Sequence, residues 1–500
     1  MIFCFSPAAA QFSTPPAQPA AVSATAGPAV VAQPAATAQF FHGTQLIPEG
    51  REAIGSGLLP FASQADALAG DIAKSPYIQL LGGTWTVKAV DTRDAIAAAM
   101  ASGDGWSEVQ VPQSQPASGK IVLMRRGFKR PFAWDDREIF LRFQGVGAPY
   151  DVYVGTKKIG YNPSPRVGAD FDVTKATVEG NNTLTLVLYN DLPTAFAQAA
   201  LPQAIVEGDV FAISQPKARV RDIDAGASVS PEGNGLLNMG IIVKSHLLNP
   251  REIEVFYELR DGTGKTVSSG RRTAEFSMKQ EDTVRFFANI PAVKPWSADK
   301  PDLYTLLITT QYEGRFGEYI AARIGFRDVS VQKGKFFVNG VEAALTAAPM
   351  TPGSDMTAAE AQLRNVKKGG ANAVKLTDYP ASPAFYALCD RVGIYVCDQA
   401  GLNARRAGNV NPSNDPVLGP LFNDRVMAMY NASKEHPSVV MFSLAEGPDN
   451  GFNLYRTYLA LRTIEGTRPI SFAGAGGEWN SDTAPDGSFH RVVFRVLGGR

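Results

Sequence analysis

The chain is poor in the residues that fix many functions at once. Three cysteines, four histidines and no surplus charge (48 Lys+Arg against 48 Asp+Glu) are spread over 500 residues. Balanced charge supplies no basic field for a nucleic-acid backbone or an anionic membrane surface, so neither is expected as a partner. Cys4, Cys389 and Cys397 form no CxxC pair. The last two lie in the apolar stretch LCDRVGIYVCD, where they read as small buried residues rather than as a disulfide or zinc framework. His42, His246, His436 and His490 are too scattered to form a ligand cluster. No metal and no cofactor is expected. No segment has the roughly 18 consecutive apolar residues that a membrane-spanning helix needs.

Charge is also missing from the start of the chain, where no Asp, Glu, Lys or Arg precedes Glu49. MIFCFSPAAAQ joins an apolar run to a small-residue step, like the tail of a secretory signal, although it has no basic region ahead of it. An exported protein, periplasmic or at the cell surface of a bacterium, is the expectation. The Ala, Pro, Gln and Ser text that follows reads as an extended linker up to about residue 45.

What is present is apolar and turn-rich: 45% hydrophobic residues with 47 Gly and 34 Pro. At roughly 100–200 residues per domain, about three folded domains are expected. Residues 46–216 alternate strand-like runs (GTWTVKAV, EIFLRFQGV, YDVYVGTKKIGY, NTLTLVLYN) with Gly, Pro and Asn, which predicts an antiparallel sandwich. Residues 217–329 continue in the same way (GIIVKSHLL, EIEVFYELRD, DTVRFFANI, YTLLITTQY), which predicts a second, smaller sandwich. From 330 to 500 short apolar strands alternate with helical runs, the signature of parallel βα units. About six strands can be counted from GVEAALTA to HRVVFRVL, two short of an eight-stranded barrel.

The order sandwich, sandwich, βα-barrel, with the stretches KPWSADKPDLYTLLI, RIGFRDVSVQKGKFFVNGV, ASPAFYALCDRVGIYVCDQAG and HPSVVMFSL, resembles glycoside hydrolase family 2 and its bacterial β-galactosidases. The resemblance implies a galactose-binding-like jelly-roll sandwich, an immunoglobulin-like β-sandwich and a partial TIM-type barrel. It also implies two carboxyl groups at the barrel mouth, a general acid/base and a nucleophile. The acid belongs to a Ser-Leu-Gly-Asn-Glu pattern at the end of the fourth barrel strand. Here that place reads Ser443-Leu444-Ala445-Glu446-Gly447, and the spacing to Arg468-Pro469 puts Gly447 on the acid position and Glu446 on the Asn position. A one-residue shift along a strand turns a side chain to the opposite face, so Glu446 is not expected to substitute without a bulge.

Other positions that the resemblance assigns to ligand contact have changed as well. Asp378 and Tyr379 stand in Thr-Asp-Tyr-Pro where the family has Ser-His-Tyr-Pro. Gln399 and Asn403 stand in Asp-Gln-Ala-Gly-Leu-Asn where it has Asp-Glu-Ala-Asn-Ile-Glu. Ser164 takes the place of a galactose-binding aspartate. The nucleophile belongs to a seventh strand, and Glu478 in GGEWNSD reads as a surface loop rather than as its replacement.

These losses point to a non-catalytic family member serving as a structural or interaction subunit, with a protein partner expected against the open barrel edge. Carbohydrate binding without cleavage is the first alternative, with Trp134, Tyr150, Tyr161 and Tyr379 as possible platforms for a glycan. The second is an active β-galactosidase-type hydrolase. Glu446, Asp378, Tyr379, Gln399 and Asn403 are the ligand-binding candidates, and Gly447 marks the degenerate acid position.

Overall fold

The computed structural model describes residues 45–192, 203–247, 252–276, 280–403, 411–447, 449–484 and 488–489. The expected signal-like segment and linker therefore lie almost wholly outside the described residues.

The first sandwich pairs a six-stranded antiparallel sheet with a four-stranded one, and their inner faces enclose a core that includes Trp85, Met124, Trp134, Phe143, Tyr150 and Phe171. Alternation along the strands produces this: Leu184, Leu186 and Leu188 point one way into that core, while Val187 and Tyr189 pack on the other face beneath the helix Ala95–Ala101. The second sandwich faces a three-stranded sheet (Ala218–Val229, Gly235–Ser245, Glu281–Ile290) against a four-stranded one (Thr266–Ala274, Ile253–Arg260, Tyr304–Tyr312, Arg315–Ile324).

Among the described residues the α/β portion holds five parallel strands in sequence order: β1 (Ala347–Met350), β2 (Ala373–Leu376), β3 (Tyr395–Gln399), β4 (Val439–Ser443) and β5 (Ile470–Ser471). They are joined by helices α1 (Met356–Lys368), α2 (Pro383–Val392), α3 (Gly419–Ser433) and α4 (Phe452–Ile464). Caps explain the helix limits. The Asp355 carboxylate accepts from the N–H groups of Thr357 and Ala358 at the start of α1, and Lys367 and Lys368 sit at its C-terminal end. Ser382 caps α2 ahead of Pro383, and Gly393 ends it in the left-handed region, where a Cβ would meet the Ala298 carbonyl oxygen at 2.5 Å.

Two expectations change here. The text GVEAALTA is not one strand but two: Val341–Glu342 closes a small antiparallel sheet, and β1 begins only at Ala347. HRVVFRVL, the expected sixth strand, lies outside the described residues. The small sheet (Val329–Gln332, Lys335–Val338, Val341–Glu342) packs Val329, Val331, Phe336 and Val338 against Ala373, Tyr395 and Val440, so the end of the parallel sheet opposite the mouth is filled by an apolar plug.

The free edge of β5 is capped by the chain itself. Asp482 donates its N–H to the Ile470 carbonyl at 2.8 Å, and its carboxylate accepts the Ile470 N–H at 2.8 Å. The Ser481 hydroxyl accepts from the Phe472 N–H at 3.0 Å. At the other edge Pro349 interrupts β1 with a residue that has no N–H to offer, which blunts it against strand addition.

Candidate active site at the barrel mouth

Alternation along the parallel strands sorts their side chains. Val374, Leu376, Val396, Phe442 and Leu444 pack toward the helices, in one core with Leu363, Phe385, Phe422 and Leu454. Lys375, Cys397, Gln399 and Ser443 occupy the alternate positions and so face the barrel interior. Asp398 stands on the helix side: the Tyr386 hydroxyl donates to it at 2.8 Å, and burial pushes its carboxyl up to about 6. It is therefore not available at the mouth.

The loops after β2, β3 and β4 are tied together over that interior. Asp378, with φ 71°, donates its N–H to Gln399 Oε1 at 3.2 Å, and its carbonyl accepts from Arg425 Nη2 at 2.8 Å. A non-glycine residue in this region is strained by about 1–3 kcal/mol and persists only where its surroundings hold it. Gly401, also left-handed, lets the next loop come so close that a Cβ there would stand 2.0 Å from the Asp378 carbonyl oxygen. The Ala400 and Leu402 N–H groups donate to the carbonyls of Ser443 and Leu444 at 2.9 Å. This carries Asn403 alongside the end of β4, where its Oδ1 accepts from the N–H groups of Glu446 (2.6 Å) and Gly447 (2.9 Å). The Gln399 Nε2 is buried without a partner.

Glu446 corrects the expectation from strand alternation. β4 ends at Ser443, so the period of two does not extend to residue 446, and the backbone there follows Asn403 instead. Its carboxylate meets the Lys375 ammonium at 2.8 Å, with both side chains 39% exposed. The carboxylate thus lies over the barrel interior rather than on the opposite face. The bulge in β4 lies earlier, where Val396 pairs with Val439 and Cys397 with Met441, and it leaves the strand end in register. Gly447 presents only backbone. A Cβ there would have Asn403 Oδ1 as its nearest neighbour at 3.7 Å, and its φ lies outside the left-handed region, so the site has room for a side chain that the sequence does not supply.

Residues 84–214 match the sugar binding domain of Glycosyl hydrolases family 2, residues 218–327 match the domain named for the family itself, and residues 327–490 match its TIM barrel domain. The chain belongs to Glycosyl hydrolases family 2. The family 2 chain is 23% identical over 474 residues to a β-galactosidase of Priestia megaterium, covering 83% of this chain and 46% of that protein. A β-galactosidase of Vibrio vulnificus is 24% identical over 478 residues, covering 86% and 45%. The family 2 chain thus spans about half the length of the curated relatives it matches. In fold it is similar to a family 2 member from Bacteroides cellulosilyticus (TM-score 0.70, 16% identity, 82% of this chain and 58% of that one). It is likewise similar to Bacteroides uniformis β-glucuronidase 2 (TM-score 0.71, 15% identity, 81% and 55%).

Of the residues singled out from sequence, Asp378, Gln399, Asn403, Glu446 and Gly447 come together at the mouth of the family 2 barrel. Tyr379 turns aside: its ring lies under the Arg166 guanidinium, 5.0 Å from the centroid, and its hydroxyl donates to the Pro352 carbonyl. Trp134 and Tyr150 are buried between the sheets of the first sandwich, and Tyr161 is buried on the other face of its six-stranded sheet with Val187 and Tyr189, so none of the three offers a face to a glycan. Glu478 is exposed in its loop. Ser164 is buried, and its hydroxyl donates to Asp424 of α3 at 3.2 Å, while that carboxylate also pairs with Arg51. Lys375 was passed over in the sequence. The signal was there in ANAVKL, whose Val374 and Leu376 flank it and leave it on the other face.

Proposed function

We propose that this family 2 chain recognises β-galactoside-type glycosides at its barrel mouth without cleaving them. One observation carries this reading: the position that the family resemblance gives to the general acid is Gly447, held by Asn403 at the end of β4 with no carboxyl group on it. A glycosidase must protonate its leaving group, and a backbone methylene cannot do so. What remains around it is suited to hydroxyl groups: the Gln399 amide has a buried, unpartnered Nε2, and Glu446 and Lys375 offer an acceptor and a donor side by side. The same loss is compatible with a purely structural or interaction subunit, in which the mouth binds nothing.

A second reading, hydrolysis of the β-galactosidase type, has support of its own. The curated relatives described above carry that name, and Glu446 reaches the barrel interior after all. The two readings separate on one pair of experiments. Calorimetric titration with methyl β-galactoside and lactose should give heat that Glu446→Gln weakens, while lactose, whose sugar leaving group needs a proton donor, releases no galactose. Turnover that Glu446→Gln abolishes would replace the first reading by the second, and absence of heat across a broad glycan panel would leave the subunit role.

A further inference from the structure

One charged side chain stands on the core face of α3. Arg425 is fully buried there, among Leu421, Phe422, Val426 and Met429 of the same helix. A guanidinium withdrawn from water is costly unless its N–H groups are bonded. The Arg425 Nε donates to the Ala400 carbonyl at 2.7 Å, and its Nη2 donates to the Asp378 carbonyl at 2.8 Å. One planar fork therefore spans the loops after β2 and β3.

Both carbonyls belong to backbone that is pinned from two sides. Asp378 keeps its left-handed φ because Gln399 Oε1 accepts its N–H while Arg425 holds its carbonyl. At Ala400 the N–H goes to the Ser443 carbonyl and the carbonyl again to Arg425. From there the chain runs through Gly401 and Leu402 to Asn403, whose Oδ1 holds the N–H groups of Glu446 and Gly447. Gln399 and Asn403 thus take their places from a side chain that is itself sealed away from solvent. The same turn of α3 is anchored on its other side, since Asp424 accepts from the Ser164 hydroxyl at 3.2 Å and pairs with Arg51. A purely packing role at this position needs only volume, as Met429 supplies. Two bonds to carbonyls of different loops are what a guanidinium adds.

We propose that Arg425 is the positioning residue of the mouth: it sets the loops after β2 and β3, and through them Gln399 and Asn403, without meeting a ligand itself. Its effect on binding rests on the reading of the mouth as a recognition site, whereas its effect on the loops is measurable with no ligand present. Lysine keeps the charge but not the fork, because an ammonium is one point rather than two donors at a fixed spacing. Binding groups must be held close to their productive geometry by the residues behind them, so loosened loops lose affinity.

The test compares the whole chain with Arg425→Lys and Arg425→Met, and thermal melts show whether each variant is folded. Arg425→Lys carries the test alone if Arg425→Met does not fold. Hydrogen exchange read by mass spectrometry should be about tenfold faster over 377–380, 400–403 and 444–447, as the loss of a charge-assisted hydrogen bond implies, and unchanged over α2 and the second sandwich. Calorimetric titration with lactose should show about tenfold weaker binding in Arg425→Lys. That loss should be less than additive with Gln399→Ala, because both changes act on one contact. The proposal is overturned by loop exchange equal to the parent's, or by exchange raised alike throughout the α/β portion, which is the mark of a packing role. Lactose affinity unchanged in a variant whose loops have loosened overturns it as well, and so does full additivity with Gln399→Ala. No heat with lactose in the parent refutes the reading of the mouth instead, and the exchange result then decides alone whether Arg425 positions the loops.

Discussion

At the scale of single residues, position 447 decides most. Because a Cβ there meets nothing closer than 3.7 Å, Gly447→Glu should fold with stability within about 0.5 kcal/mol of the parent in a denaturant titration. A loss of several kcal/mol would mean that the loop after β4 is built around glycine. A second residue-scale prediction concerns Glu465 and Arg468, a buried pair bonded through Nε at 2.8 Å and Nη2 at 2.5 Å. Burial alone would raise the Glu465 carboxyl, but the charge, backbone N–H and guanidinium of Arg468, with the Thr467 hydroxyl, hold it down at about 2. Its stabilisation is therefore present above the ordinary carboxylate range and lost as pH falls toward 2. Glu465→Gln should lower stability at pH 7 by about 3 kcal/mol, with a smaller difference at pH 3, as read from urea midpoints. The place of the mouth residues at the ends of β2, β3 and β4 was legible because flanking apolar anchors set the register. The direction of Glu446 was not, since the rule of alternation holds only while the ladder lasts and β4 stops three residues earlier.

At the scale of elements, strands and helices were read well wherever apolar periodicity was unbroken, as in β2, β3 and β4. GVEAALTA was misread because Val341–Glu342 is exposed and pairs antiparallel, so its side chains carry no burial pattern to mark the break. The cap on β5 was not legible either, as it is made by polar side chains in a stretch that reads as loop. Asp482 is fully buried and accepts from the Ile470 N–H, the Tyr458 hydroxyl and Arg462. Asp482→Ala leaves all three without it and should cost about 2–4 kcal/mol, measurable as a lowered thermal midpoint. The uncapped edge should also associate, so light scattering at rising protein concentration should increase in the variant alone. A variant as stable and as monodisperse as the parent would show that the edge needs no cap.

At the scale of the whole molecule, the motifs that carried the family resemblance meet at one junction. Trp296 of WSADKPDLY donates to the Asp390 carbonyl at 3.0 Å, His436 and Ser438 of KEHPSVV bind the Asp390 carboxylate, and Arg327 of RIGFRD donates to the carbonyls of Pro437 and Val439. Trp296 and Arg327 hold the second sandwich to the barrel, and His436 and Ser438 fix the Asp390 end of α2 that receives Trp296. Glu435 belongs to the same junction, with both carboxylate oxygens on the Ala225 N–H. Burial, helped by Asp224 and Asp222 and opposed by Lys434, pushes it up to about 7. A raised carboxyl adds stability at low pH that is lost as pH rises through about 7, so Glu435→Gln, which keeps an acceptor for Ala225, should flatten the fall in thermal midpoint between pH 5 and pH 8. An unchanged slope would remove Glu435 from the pH response.

The reading as a whole stands on a family 2 scaffold whose mouth offers Glu446 and Lys375 but no acid at residue 447. The most direct test is release of galactose from lactose, whose sugar leaving group needs a proton donor, by the purified chain. The account predicts no turnover above the uncatalysed rate, in the parent and in Glu446→Gln alike. Turnover in the parent that Glu446→Gln abolishes would contradict it.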